Sequence, residues 1–117
     1  MIKGIGLDLV ELDRIEKMLG RSAKFAQRIL TERELIIFDE LSPARKVEFL
    51  AGRFAAKEAY SKAIGTGIGK GCELHQMEIL KDGLGKPVLY FDGELVNGFI
   101  SITHTRTTAA AQVILMQ

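Results

Sequence analysis

Arg53-Phe54-Ala55-Ala56-Lys57-Glu58-Ala59-Tyr60-Ser61-Lys62-Ala63, running into Gly65-Thr66-Gly67-Ile68-Gly69, reads as the second half of a long helix that empties into a glycine-rich loop. Four charged side chains lie within ten residues of a segment otherwise built from small and aromatic ones. Projected at about 100° per residue, Val47, Leu50, Ala51, Phe54 and Ala55 share one arc, with Glu58 inside it and Lys62 a turn further on. Arg53, Lys57 and Lys46 form a separate stripe beside Phe49 and Tyr60. A carboxylate on the apolar side of a helix is costly unless a cation answers it. That cation is either Lys62, in the Glu-to-Lys i,i+4 order common on helices, or a metal ion that leaves Lys62 free for a ligand. The local pattern by itself favours the ion pair.

Outward from this stretch, Ser42-Pro43 supplies an N-cap and first helical residue, so the long helix runs from Pro43 to about Ile64. Gly65 is its C-terminal cap, and the glycines that alternate after it, to Gly71, offer backbone N–H groups to anions. Upstream, Thr31 and Glu34 make a capping box for a short helix through Leu41. Asp13 and Glu16 make a similar start to a helical stretch that Gly20 and Ser22 interrupt before it resumes to Leu30. Met1 to Val10 alternates as a strand, with Gly4, Gly6 and Asp8 on one face and Ile5, Leu7 and Leu9 on the other. Glycines on one strand face let a backbone or a ligand come close.

After the loop, Glu73–Lys81 and Pro87–Phe91 read as a hairpin, with His75 a structural residue inside the first strand. Gly93 to Asn97 is a turn or short helical piece, and Phe99–Thr103 with Ala109–Met116 make the last hairpin, His104 at its mouth. Strand, helices, then meander predicts an α+β fold, an antiparallel sheet packed on one long helix.

At 117 residues the chain is one domain, residues 1–117, with ordinary hydrophobic (47%) and charged (26%) content. A formal charge of +1 argues against a general polyanion binder, so nucleic acid is not an expected partner. The single Cys72 rules out an internal disulfide and a multi-cysteine zinc site. No signal-like start and no apolar run near the roughly 18 residues of a membrane span are present, which predicts a cytoplasmic protein without a membrane partner.

Across the Gly20 break, Arg14, Lys17, Arg21, Lys24 and Arg28 recur at spacings of 3, 4, 3 and 4 with Met18 and Phe25 alongside. Such a stripe is either a solvated face or a dock for an acidic helix or phosphates. Asp8 and Glu58, from different elements, suit a hard cation such as Mg²⁺, which takes one or two carboxylates and completes its shell with water and phosphate oxygens. On residues alone the chemistry is metal-assisted phosphoryl transfer. The alternative from another class is a non-catalytic nucleotide- or RNA-binding module that uses the basic stripe, although few aromatic stacking residues support it.

Gly6-Leu7-Asp8-Leu9-Val10, Phe54-Ala55-Ala56-Lys57-Glu58-Ala59 with Lys62 and Gly65-Thr66-Gly67-Ile68, Gly85-Lys86-Pro87, and Ser101-Ile102-Thr103-His104-Thr105 follow one another in the order and spacing of bacterial holo-[acyl-carrier-protein] synthases. The sequence thus resembles the short, trimeric 4′-phosphopantetheinyl transferases over essentially its whole length. Leu7 and Leu9 stand where that family usually has isoleucine, Arg53-Phe54 where it often has tryptophan, and Thr103 where serine is common.

The resemblance implies transfer of 4′-phosphopantetheine from coenzyme A to a serine of apo acyl carrier protein, releasing 3′,5′-ADP, in fatty-acid biosynthesis. It implies Asp8 and Glu58 as ligands of Mg²⁺ and as catalytic residues, with Lys62 stabilising charge on the leaving phosphate. Arg53, Ser61, Lys62, Gly65, Lys86, Ser101, His104 and Thr105 would contact coenzyme A, some in a neighbouring subunit's pocket of a homotrimer. The base is left open between solvent on the metal and His104 or another carboxylate. Arg14, Met18, Arg21, Lys24, Phe25 and Arg28 would dock the carrier protein.

Overall fold

The computed structural model describes residues 1–117. In chain order, strand β1 (Ile2–Glu11) leads into helices α1 (Leu12–Arg21), α2 (Phe25–Ile29), α3 (Glu32–Asp39) and α4 (Pro43–Ile64). A 3₁₀ turn at Leu74–Gln76 precedes β2 (Met77–Lys81), β3 (Pro87–Phe91), β4 (Glu94–Leu95), β5 (Gly98–His104) and β6 (Thr108–Met116). The antiparallel α+β architecture is as expected, but the strands form two three-stranded sheets, ordered β1-β6-β5 and β2-β3-β4.

Local chemistry sets the helix ends. Thr31 and Glu34 close their capping box, Ser42 accepts from the Arg45 N–H, and Gly65 ends α4 at φ 89°. The Asp13–Glu16 box does not form. Glu11 is the N-cap of α1, without a side-chain bond, and Asp13 lies inside the first turn, 3.2 Å from Lys17. His75 is not in a strand; it sits exposed in the 3₁₀ turn, its Nε2 donating to the Gln27 carbonyl at 2.7 Å.

Alternation on β1 decides how α4 lies. Gly4, Gly6, Asp8 and Val10 face the helix; Ile5, Leu7 and Leu9 face out and are exposed. A Cβ at Gly6 would fall 1.7 Å from the Ala59 carbonyl oxygen, and one at Gly4 2.2 Å from that of Ala63. The close approach predicted for these glycines is therefore to the backbone of α4. Ala109 and Ala111 of β6, both buried, keep the central strand equally shallow beneath the same helix.

The helix is consequently the axis of the core and not an amphipathic cover. Between Leu50 and Ser61 only Phe54 and Glu58 escape full burial. Within the arc that looks apolar in projection, Leu50, Ala51 and Ala55 are fully buried, while Phe54 and Glu58 are half-buried.

The most deeply buried charges were not apparent from periodicity. Lys57, assigned by projection to a basic stripe, is 0% exposed and bonds Glu34, also 0% exposed, at 2.7 Å. No helix is long and apolar enough to cross a membrane.

Candidate active site

Asp8 and Lys62 meet where the end of β1 passes the last turns of α4. Lys62 Nζ donates to Asp8 Oδ1 at 2.9 Å and to the Leu7 carbonyl at 3.1 Å. The Glu58–Lys62 ion pair favoured by the helix pattern is replaced by this longer-range bond, since β1 brings a second carboxylate and a carbonyl to the same ammonium. Bonding to Asp8 raises the Lys62 pKa above its ordinary value.

Glu58 emerges half-buried through the gap in the helix packing. Burial, and then the neighbouring Asp8, push its carboxyl above the usual range; Lys62 and Arg14 pull the other way. An under-compensated carboxylate beside a second one is a pair that a divalent cation relieves. Nowhere in the chain do three or more His, Cys, Asp or Glu side chains converge. The donor set is therefore two carboxylates, which suits a hard ion that retains water and takes phosphate oxygens, and does not suit zinc.

Arg14 acts on Glu58 from α1, so the basic stripe starts at the edge of this carboxylate pair. Arg14, Arg21, Lys24 and Arg28 are exposed, and Met18 and Phe25 are half-buried among them. Lys17 is the exception in the stripe, neutralised by Asp13.

A second cluster lies at the other end of α4. Arg53 is 6% exposed, stacks 4.2 Å above the Phe49 ring, and has no hydrogen-bond partner for its buried Nε and one terminal nitrogen. It borders a depression of about 490 Å³ shared with Arg45, Glu48, Lys81 and His104. His104 Nε2 stands 3.9 Å from Glu48, a residue ten positions and roughly 15 Å along the helix from Glu58. A single chain thus brings Asp8, Glu58 and Lys62 together, and Arg53 with His104, at two separate places.

The remaining predicted contacts are dispersed. Ser61 is fully buried, and its hydroxyl donates to the Glu58 carbonyl at 2.7 Å, so it stabilises the helix and presents no donor to a ligand within the chain. Gly65 is exposed, but its N–H and those of Thr66 and Gly67 donate to the Ser61 carbonyl and that of Gly69 to the Cys72 carbonyl, so Gly67 and Gly69 do not offer the free N–H groups expected of them. Lys86 caps a hairpin tip 5.6 Å over Phe99, Ser101 lies exposed on the outer sheet face, and Thr105 accepts from Thr107 and Thr108 in its own loop.

A sequence model of the 4′-phosphopantetheinyl transferase superfamily matches residues 4–114. A holo-[acyl-carrier-protein] synthase of Geobacillus sp. is 57% identical over 98% of this chain and 97% of its own. That of Bacillus velezensis is 58% identical over 98% and 96%. The chain belongs to the holo-[acyl-carrier-protein] synthases of the 4′-phosphopantetheinyl transferase superfamily. The crystal structure of the Bacillus anthracis synthase in complex with CoA (3′,5′-ADP) superimposes with a TM-score of 0.87 at 50% identity, over 98% of this chain and 96% of that one. The Helicobacter pylori synthase in complex with coenzyme A gives a TM-score of 0.83 at 31% identity, over 96% and 99%. Family membership takes the place of the non-catalytic binding-module alternative.

Proposed function

We propose that the protein transfers the 4′-phosphopantetheine group of coenzyme A to a serine hydroxyl of apo acyl carrier protein, releasing 3′,5′-ADP, in fatty-acid biosynthesis in the cytoplasm. The observation that carries this reading is the convergence of Asp8, Glu58 and Lys62 from β1 and α4, with Arg14 of α1 at its edge. Asp8 and Glu58 would hold Mg²⁺, which when bound neutralises charge on the diphosphate.

Lys62 has two tasks in this reading. Within the chain it is held by Asp8 and the Leu7 carbonyl; with Asp8 engaged by a cation, its ammonium would be free to reach the leaving phosphate. A lysine ammonium is protonated at neutral pH, so it can balance charge on that group or donate a proton to it. His104, in the Arg53 depression, is assigned to binding coenzyme A, and the serine proton would pass to solvent beside the Asp8–Glu58 pair. Arg53 lines the same depression, and its positive charge, unpaired within the chain, would answer phosphate groups at the nucleotide end of coenzyme A.

The separation of the two clusters is understood if the Arg53–His104 depression of one subunit serves the Asp8–Glu58 site of the next. The outer face of the β1-β6-β5 sheet supports assembly. Ile5, Ile114 and Phe99 form one cross-strand row and Leu7 begins the next, and Ile5, Leu7, Leu9 and Phe99 are each more than half exposed. An apolar sheet face of this kind marks an interface, here proposed to be that of a homotrimer. The basic stripe would steer an acidic carrier protein to the site.

Incubation with apo acyl carrier protein, coenzyme A and Mg²⁺ tests the proposal. The carrier mass is expected to rise by one phosphopantetheine; an unmodified carrier under conditions in which a known synthase modifies it would remove the proposal.

A further inference from the structure

The buried Lys57–Glu34 pair takes no part in the chemistry above, yet it joins four segments of the fold. Lys57 Nζ donates to Glu34 Oε1 at 2.7 Å and to the Ile29 carbonyl at 2.6 Å. Glu34 Oε1 also accepts from the Thr31 N–H at 2.9 Å, and its Oε2 from the Ile79 N–H of β2 at 2.8 Å. Both Glu34 oxygens accept and Lys57 makes two bonds, so the buried charges are held in a shared network.

Two features of this network concern α2. Ile29 is the last residue of that helix, and its carbonyl is one of the orphan acceptors every helix end leaves. Lys57 satisfies it with a charge favourable at a C-terminus. A second α2 carbonyl, that of Gln27, is taken by His75. The short helix, which carries Phe25 and Arg28, is thus held by its carbonyl end from outside, and one of the two grips comes from the residue that precedes Glu58.

We propose that Lys57 and Glu34 are positioning residues for the acceptor protein: by fixing the end of α2 to α4 one residue before Glu58, they set the distance between the docking surface and the transfer site. The inference rests on the docking role given to α2 under the proposed function. It distinguishes the pair from ordinary core packing, because loosening it displaces the acceptor surface and leaves coenzyme A binding in place.

The test is the double substitution Glu34→Leu/Lys57→Met, which removes both charges together and so leaves neither unpaired. Expected are a folded protein, a carrier-protein KM raised about 10-fold and a coenzyme A KM within about 2-fold of wild type. Adding Arg28→Ala should cost less in that background than in wild type, since the two changes act through the same helix. An unchanged carrier KM, or equal rises for both substrates, overturns the inference. Should the double variant not fold, His75→Ala releases the other α2 carbonyl from an exposed side chain and should alone raise the carrier KM about 3-fold; no change there overturns it equally. Wild-type protein run alongside separates the two readings. Absence of transfer by wild type removes the proposed function, whereas wild-type transfer with an unmoved carrier KM in the variants removes only the positioning role.

Discussion

Lys62 Nζ and Asp8 Oδ1 stand 2.9 Å apart, joining residues 54 positions distant in sequence, while Glu58 on the same helix face remains without a bonded cation. In the proposed reading a divalent cation would be held by Asp8 and Glu58, beside the Lys62 ammonium. Asp8→Asn and Glu58→Gln are each expected to reduce transfer about 100-fold, the scale of losing one charge-stabilising group. Each should also abolish saturable Mg²⁺ binding measured by calorimetry. Retention of tight Mg²⁺ binding by both variants would falsify the assignment.

Glu58 also makes a prediction about stability. Its carboxyl is raised by burial and by Asp8. Between the ordinary glutamate value and the raised one, the folded state holds a proton that the unfolded chain has released. The associated stability is present below the unfolded value and is lost as pH rises through the folded one. At neutral pH the ionised carboxylate therefore costs stability, so Glu58→Gln should raise the melting temperature by about 1–3 °C without Mg²⁺. The gain should shrink as pH falls towards 4.5, as followed by thermal melts across pH.

Substitution at the β1–α4 contact should be severe. Gly6→Ala places a methyl 1.7 Å from the Ala59 carbonyl, a clash with backbone that no rotamer relieves. A loss of more than about 3 kcal/mol in denaturant unfolding is expected, from overpacking a closed core. Gly20, near the end of α1, has nothing within 4 Å of an added Cβ. Gly20→Ala should be neutral or stabilise by up to about 1 kcal/mol through helix propensity.

Removal of one member of the buried pair should cost far more than removal of both. Lys57→Met leaves the Glu34 carboxylate without its cation, at about 3–5 kcal/mol. The Glu34→Leu/Lys57→Met protein should recover much of that loss in the same unfolding measurement, because burial is what pushes the Lys57 pKa down and Glu34 only partly restores it.

The docking stripe should respond to charge and salt. Arg14→Glu with Arg21→Glu is expected to raise the carrier KM by about 10-fold or more and to flatten its dependence on ionic strength. A kcat loss at unchanged carrier KM, measured from 50 to 300 mM salt, would place these residues outside the docking surface.

Legibility in the sequence followed the range of the interaction. The Thr31–Glu34 capping box, the Ser42-Pro43 start and the Gly65 cap were readable because each is complete within a few residues. Gly4 and Gly6 announced a close neighbour, but nothing local said that it would be the Ala59 and Ala63 carbonyls. Residue chemistry nominates Asp8 and Glu58 as a hard-cation pair and the family resemblance specifies them, but their convergence depends on β1 lying against α4, a contact between residues some fifty positions apart. Lys57 was misread for the same reason. A lysine three residues from Tyr60 and four from Arg53 looks like a surface stripe, and only its partner Glu34, 23 residues away, makes full burial tolerable. The one local signal is that a carboxylate accepts several bonds: the Glu34 oxygen that closes the capping box also accepts from Lys57.

Strand β1 has no idle side. Its even-numbered face is closed by the α4 backbone at Gly4 and Gly6, and its odd-numbered face carries Ile5, Leu7 and Leu9 outward. If the outward face is the proposed trimer interface, a polar change at Leu7 would leave the single chain's interior intact and yet be felt on dilution: by mass action, the concentration at which subunits part would rise, and activity per chain would fall with it.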